Sequence, residues 1–192
     1  MQLTAQYHLT KEQVDSESDL ILQAKADPAK FGVLYKKYHK QIFLFVLRRV
    51  ESTEDADDIT SQVFLKAMLN LKKYEPKGIP FGAWLYRIAR NEIYDRHAKS
   101  NVNMVLTIEK DGVQKMILDM QEEGSNEDQY KELQNAISKL DEDEIELIEL
   151  RYFEDHSFRE VGEIINITEN NAKVKTYRII EKLKKLYRHE QT

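Results

Sequence analysis

The sequence predicts an all-α protein: an N-terminal helical bundle joined by an acidic linker to a C-terminal four-helix domain that contains a helix-turn-helix. Three observations predict it. Apolar residues recur three and four apart through nearly every ordered-looking segment, alternating β-branched runs are almost absent, and helix-start residues stand ahead of the apolar stripes. The chain of 192 residues can hold one ordinary domain or two small ones, and its 41% hydrophobic content is enough for compact cores.

Residues 1–17 read as a polar tail, and "DLILQAKA" after it as a short first helix. Pro28, whose fixed φ suits a first helical turn, opens a second helix through "KFGVLYKKYHKQIFLFVLRRV". Its inward positions are Phe31, Leu34, Tyr35, Tyr38, Ile42, Phe45, Val46 and Arg49. Ser52 or Thr53 can cap a third helix. Glu54, Asp55, Asp57 and Asp58 favour its positive N-terminal end, and Ile59, Val63, Phe64, Ala67, Met68 and Leu71 form its buried stripe. "EPKGIP" breaks that helix and a fourth starts near Pro80, running through "FGAWLYRIARNEIYDRHAK". Phe81, Trp84, Leu85 and Ile88 make one side of it apolar, with Trp84 read as a core anchor ahead of a base-stacking platform. Arg87, Arg90, Asn91, Tyr94 and Arg96 make the other side basic, amide-bearing and aromatic. Four helices with short connections close one bundle over residues 18–99.

Residues 100–127 have weak helical periodicity and many acids, which reads as a linker. Asp111-Gly112, between "VLTI" and "MIL", is also a turn signal for a small hairpin. Residues 128–192 return to helix with "DQYKELQNAISKL" and then "DEDEIELIELRYFED", which opens on the capping-box pair Asp141 and Glu144. Ser157 and Glu160 form a second capping box before the apolar face of Val161, Ile164 and Ile165. The chain then turns through "NIT". Thr168 can cap a last helix with Ala172, Thr176, Ile179, Leu183 and Leu186 inward and Asn170, Asn171, Lys173, Lys175, Arg178 and Lys182 outward. This is the layout of a DNA-binding helix-turn-helix, whose second helix enters the major groove with its N-terminal residues. The side chains suit that groove. Asn can pair bidentately with adenine, and Lys or Arg can reach guanine or phosphate.

The net charge of −5 hides an asymmetry: residues 101–148 hold thirteen acids against four lysines, so the rest of the chain is net positive. An acidic total therefore does not exclude nucleic acid. Cysteine is absent, the histidines (His8, His39, His97, His156 and His189) show no ligand spacing, and the six glycines form no phosphate-cradling loop, so no metal or cofactor is expected. No apolar run could span a bilayer and the start lacks a leader pattern, which predicts a cytoplasmic protein without direct membrane insertion.

Three stretches, "EDADDITSQVFLKAM" (54–68), "FGAWLYRIARNEIYDRHAK" (81–99) and "LDEDEIELIELRYFEDHSFREVGEIINITENNAKVKTYRIIEKLKKL" (140–186), carry a resemblance to bacterial sigma factors. The chain resembles the small extracytoplasmic-function class (ECF, group IV), which has only the second and fourth conserved regions. The resemblance covers most of residues 18–187. It implies that residues 18–99 are region 2 and residues 128–192 region 4. The first stretch would bind the clamp helices of the polymerase β′ subunit through Asp57, Asp58, Gln62 and Leu65, although many relatives carry Gln-Glu where Ser61-Gln62 stands here. The second would melt the minus-ten element and hold its non-template strand with Lys72, Lys73, Tyr74, Arg87, Arg90, Asn91, Tyr94 and Arg96; the loop "KKYEPKGIP" would supply a pocket for a flipped base. The third would read the minus-thirty-five element through Thr168, Asn170, Asn171, Lys173, Lys175, Arg178 and Lys182. Asn166 stands where relatives often have Gly, a mild departure because Asn tolerates the left-handed conformation.

The family further implies core RNA polymerase (β′ clamp helices and β flap), promoter DNA and an anti-sigma protein as partners. Family linkers thread toward the polymerase active centre, so Glu109, Asp111, Asp119, Glu122 and Glu123 are candidate mimics of a polyanion. Two other classes compete. A helix-turn-helix regulator whose N-terminal bundle senses a ligand or dimerises explains residues 157–187 equally well, but not the basic, aromatic face of the fourth helix. An enzyme using Asp57-Asp58 or the acids 141–144 lacks further groups at a readable spacing, and helix-start acids explain both.

Overall fold

A computed structural model describes residues 11–100, 110–120 and 127–189. The described residues form α-helices α1 (Lys11–Ala26), α2 (Phe31–Leu47), α3 (Thr53–Asn70), α4 (Phe81–Ser100), α5 (Lys110–Asp119), α6 (Glu127–Ile137), α7 (Glu142–Ile148), α8 (Phe158–Ile165) and α9 (Glu169–His189), and no strand. Two compact units result: α1 to α4, with Glu163–Ile165 of α8, fall in the first, and the rest of α5 to α9 makes the second. None of the described helices is long and apolar enough to cross a membrane.

In the first unit α2, α3 and α4 pack on one another and α1 lies across α2. Leu34, Ile42, Phe45, Val63, Ala67, Phe81, Leu85 and Ile93 are fully buried between them, and their removal from water is the main stabilising term. Ser52 is the cap of α3, its hydroxyl accepting the Asp55 N–H at 3.0 Å. Pro28 sits in a short 3-10 turn, Pro28–Lys30, whose cap Asp27 accepts the Ala29 N–H at 3.0 Å; α2 proper starts after it. Two expected inward residues face outward: Tyr35 and Met68 are each 41% exposed. They occupy the edges of stripes whose centres alone reach the interior. Arg49 is buried as expected, its guanidinium 3.4 Å from the Phe45 ring centroid and its Nη1 donating to Phe45 O at 2.6 Å.

The helix α1 is twice the expected length and begins inside residues 1–17, where Val14 and Glu17 are buried. Its polar composition concealed it, because only Val14, Ile21 and Ala24 along it are apolar and buried.

In the second unit the hairpin at Asp111-Gly112 is replaced by α5. Val113, Met116 and Ile117 are its buried residues, at helical spacing, with Met120 buried just beyond its end, and a Cβ at Gly112 would lie 2.3 Å from the Phe153 ring. Glycine here provides a close approach between helix and ring instead of a turn. The C-terminal domain thus gains a helix beyond the four expected. Glu109, Glu122 and Glu123 lie outside the described residues; Asp111 and Asp119 fall on α5. After α7 the helix widens into one π-turn, Glu149–Phe153, closed by Glu154 N–H to Glu149 O at 2.9 Å.

Candidate nucleic-acid and protein interfaces

Along α3, Asp57, Asp58 and Gln62 are exposed and Leu65 is 44% exposed. Spacings of four and three place Asp58, Gln62 and Leu65 on one face. Met68 and Leu69 continue that face with apolar surface; Leu69 is 69% exposed, and sequence reasoning left both out. Phe64 is buried, against the edge of the Tyr35 ring at 4.8 Å. Asp55 differs from its neighbouring acids: it accepts from Ser52 Oγ at 2.9 Å and is ion-paired with Arg96.

A concave strip of the first unit is lined by Lys66, Asn70, Lys73, Tyr74, Trp84, Arg87, Ile88 and Asn91. The strip brings together four expected residues, Lys73, Tyr74, Arg87 and Asn91, with Lys66, Asn70, Trp84 and Ile88, which were not expected to contribute. Glu75, Glu92 and Asp95 also border it, and Lys66 is ion-paired with Glu92. Arg90, Tyr94 and Arg96 do not line the strip; the Arg90 guanidinium lies over the Tyr94 ring at 4.7 Å. Lys72 is exposed.

Tyr74 is 8% exposed, its ring packed edge-on against Phe81 at 5.1 Å and tilted against Trp84 at 4.7 Å. Burial pushes its hydroxyl up to about 12, and the Glu17 carboxylate adds to the rise. Trp84 is half-buried, anchored by Tyr74 and Phe81 yet open along the strip. It is therefore both an anchor and a wall.

The second unit presents the helix-turn-helix. Ser157 and Glu160 form a reciprocal capping box, with Glu160 N–H to Ser157 Oγ at 3.2 Å and Ser157 N–H to Glu160 Oε2 at 2.9 Å. Asn166 ends α8 in the left-handed conformation, φ 60° and ψ 46°, and a Cβ at Gly162 would lie 2.7 Å from Ile167 O, so the turn folds tightly back on α8. Thr168 Oγ1 then accepts the Asn171 N–H at 3.2 Å and starts α9. Ala172, Thr176, Ile179 and Leu183 are buried; Asn170, Asn171, Lys173, Lys175, Arg178 and Lys182 are exposed. Lys182 differs from the others, donating to Glu144 Oε2 of α7 at 2.5 Å. Tyr177 and Val174, not singled out in the sequence, add exposed apolar surface to α9, and Tyr177 packs on Phe158 at 5.9 Å.

Glu160 also gives the unit a pH dependence. Burial alone would raise its carboxyl, but the neighbouring His156, 3.7 Å away, and the bonds from Ser157 outweigh it and hold the carboxyl below the ordinary glutamate value. A depressed folded-state pKa contributes stability that is present above the unfolded value and is lost as pH falls through the folded one. We predict that Glu160→Gln lowers stability at neutral pH by about 1 kcal/mol and flattens the acid limb of the stability curve below pH about 4.5. Urea melts of both proteins between pH 3 and 7 test this; parallel acid limbs would refute it.

Comparison with known proteins gives a consistent picture. The Sigma-70 region 2 family model matches residues 34–102, and the Sigma-70 region 4 model matches residues 130–183. The chain is 30% identical over 184 residues to the ECF RNA polymerase sigma factor BldN of Streptomyces coelicolor, covering 90% of this chain and 67% of that protein. It is 29% identical to the ECF RNA polymerase sigma factor SigW of Bacillus subtilis, over 85% of this chain and 92% of that one. Two solved structures share the fold. CnrH, in complex with the cytosolic domain of CnrY, aligns with a TM-score of 0.55 at 21% identity over 87% of this chain and 94% of that one. The sigma factor RpoE of Bartonella quintana, in complex with the anti-sigma factor NepR, aligns with a TM-score of 0.55 at 19% identity over 82% and 96%.

Proposed function

We propose, since this chain belongs to the ECF RNA polymerase sigma factors, that its two units divide promoter recognition between them. Membership makes it a subunit for promoter-specific transcription initiation and not an enzyme. In the proposal, the exposed face of α3 with Asp57, Asp58, Gln62 and Leu65 binds the β′ clamp helices of core polymerase, and the second unit reaches the β flap. The α4 strip with Lys73, Arg87 and Asn91 holds the opened non-template strand of the minus-ten element. Lys72, Arg90, Tyr94 and Arg96 flank that path, and Tyr74 supports it from within. The first turns of α9, from Thr168 and Asn170 through Arg178, read the minus-thirty-five element.

One observation carries the reading: the exposed Asn and Lys residues of α9 begin at a capped N-terminus opposite a fully buried stripe, the geometry a major-groove helix needs. A run-off transcription assay with core polymerase tests it. Initiation that depends on this chain supports the reading, whereas duplex binding without initiation supports a helix-turn-helix regulator. The solved relatives bound to anti-sigma or cytosolic-domain partners support a further part of the proposal, that an anti-sigma protein holds this factor inactive in the cytoplasm. The linker acids Glu109, Asp111, Asp119, Glu122 and Glu123 are proposed to imitate nucleic acid inside polymerase, so their neutral replacement should alter promoter escape.

A further inference from the structure

Two polar contacts of α1, one buried and one part-buried, have no part in the surfaces above, and both end on the segment between α3 and α4. Glu17, 2% exposed, accepts the backbone N–H of Phe81, the first residue of α4, through Oε2 at 2.6 Å. Its Oε1 accepts from Tyr38 Oη and Lys37 Nζ of α2, each at 2.6 Å. Eight residues further along α1, Lys25 Nζ donates to Tyr74 O at 2.5 Å. Tyr74 begins the segment and Phe81 ends it.

The carboxylate is a cap supplied in trans. The leading N–H groups of a helix have no partner within the helix, and a carboxylate there also meets the positive end of the helix dipole. The Glu17 bond to Tyr38 fixes a second element as well. The Tyr38 ring lies against the first turn of α4, where a Cβ on Gly82 would be 2.6 Å from Cε1. Sliding of α4 along its axis is thus opposed by an oriented ring and a directional bond. At the other end, the Tyr74 ring touches both Phe81 and Trp84.

We propose that Glu17 and Lys25 are positioning residues for strand opening: α1 clips both ends of the 74–81 segment and so sets the place of Trp84, Arg87 and Asn91. The inference rests on the reading of α4 as the strand-holding element. It separates two properties that one unit otherwise carries together, because neither clip touches the exposed face of α3. Loss of a clip should slow opening and leave polymerase binding alone.

The test uses the full-length factor with core polymerase, on a promoter fragment taken from a transcription start mapped after overexpression. Variants are Glu17→Gln, Lys25→Met and Lys25→Arg. Three quantities are measured: affinity for core polymerase, the opening rate from fluorescence of a base analogue in the minus-ten region, and acrylamide quenching of Trp84, the sole tryptophan in the chain. We expect Glu17→Gln and Lys25→Met to open the promoter about tenfold more slowly, as misplacement of a reactive constellation does. Trp84 should become about twofold more quenchable, core affinity should stay within about twofold, and Lys25→Arg, which keeps the donor, should retain wild-type behaviour. Wild-type opening in both Glu17→Gln and Lys25→Met overturns the proposal. So does a parallel loss of opening and core affinity, or slowed opening in Lys25→Arg equal to that of Lys25→Met. If Glu17→Gln does not fold, Lys25→Met and its Arg counterpart decide alone. Failure of the wild-type factor to open any mapped promoter would instead overturn the reading of α4.

Discussion

A double variant, Asn171→Ala with Lys173→Ala, is expected to lose recognition of the upstream promoter element by about tenfold to a thousandfold while binding core polymerase as the wild type does. The range follows from a worth of about 1–3 kcal/mol for a good bidentate base contact, with a smaller addition from phosphate. The structure makes the variant clean. Both side chains are exposed in the first turns of α9, and the cap of that helix uses the backbone N–H of Asn171 and not its amide. Alanine therefore preserves the cap and raises helix propensity. The lost Lys173 contact to the Tyr177 ring, at 6.0 Å, is long and exposed. Anisotropy with a duplex carrying the upstream element, beside a core-binding assay, checks the result. Impaired core binding with intact duplex binding would mean that α9 had been assigned the wrong partner.

The complementary variant acts on α3. Asp58→Ala with Gln62→Ala should weaken core polymerase binding by about tenfold or more, the effect expected of polar groups near the centre of a protein interface. Transcription from every promoter should fall together. The folded unit should scarcely notice: both residues are exposed, and removing Asp58 sacrifices only some tenths of a kcal/mol of helix-dipole stabilisation. Leu65, with Met68 and Leu69 beside it, supplies apolar area to the same face, so Leu65→Ala should add to the loss. Equal core affinity in the variant and the wild type would remove α3 from the interface.

Local rules made much of the fold legible. Both capping boxes, the Ser52 and Thr168 caps and the left-handed Asn166 follow from contacts within four residues, and sequence displays such contacts directly. The outward set of α9 was legible for the same reason, since one helical period sorts Lys173 from Ala172. Departures occurred where a distant partner decides. Tyr35 and Met68 have the right spacing for the interior, yet each lies at the edge of its stripe and stays 41% exposed. Asp111-Gly112 carries a turn signal, but the ring of Phe153, forty-one residues away in sequence, needs a glycine inside a helix there. Tyr74, expected along the DNA path, is buried against Phe81 and Trp84, seven and ten residues on, a packing that its own neighbourhood in sequence does not display. Glu17 was invisible in a polar segment because its partners lie twenty, twenty-one and sixty-four residues on.

The Lys182 to Glu144 pair has a consequence in the currency of small ions. A free lysine that meets a phosphate helps to expel a cation condensed on the DNA, and the entropy of that release is what high salt removes. Lys182 already neutralises an anion, and Glu144, released from it, would recruit a cation of its own. The exchange leaves the ion count nearly unchanged. The salt dependence of duplex binding should therefore count Lys173, Lys175 and Arg178 but pass over Lys182, whose charge is already taken up in tying α9 to α7.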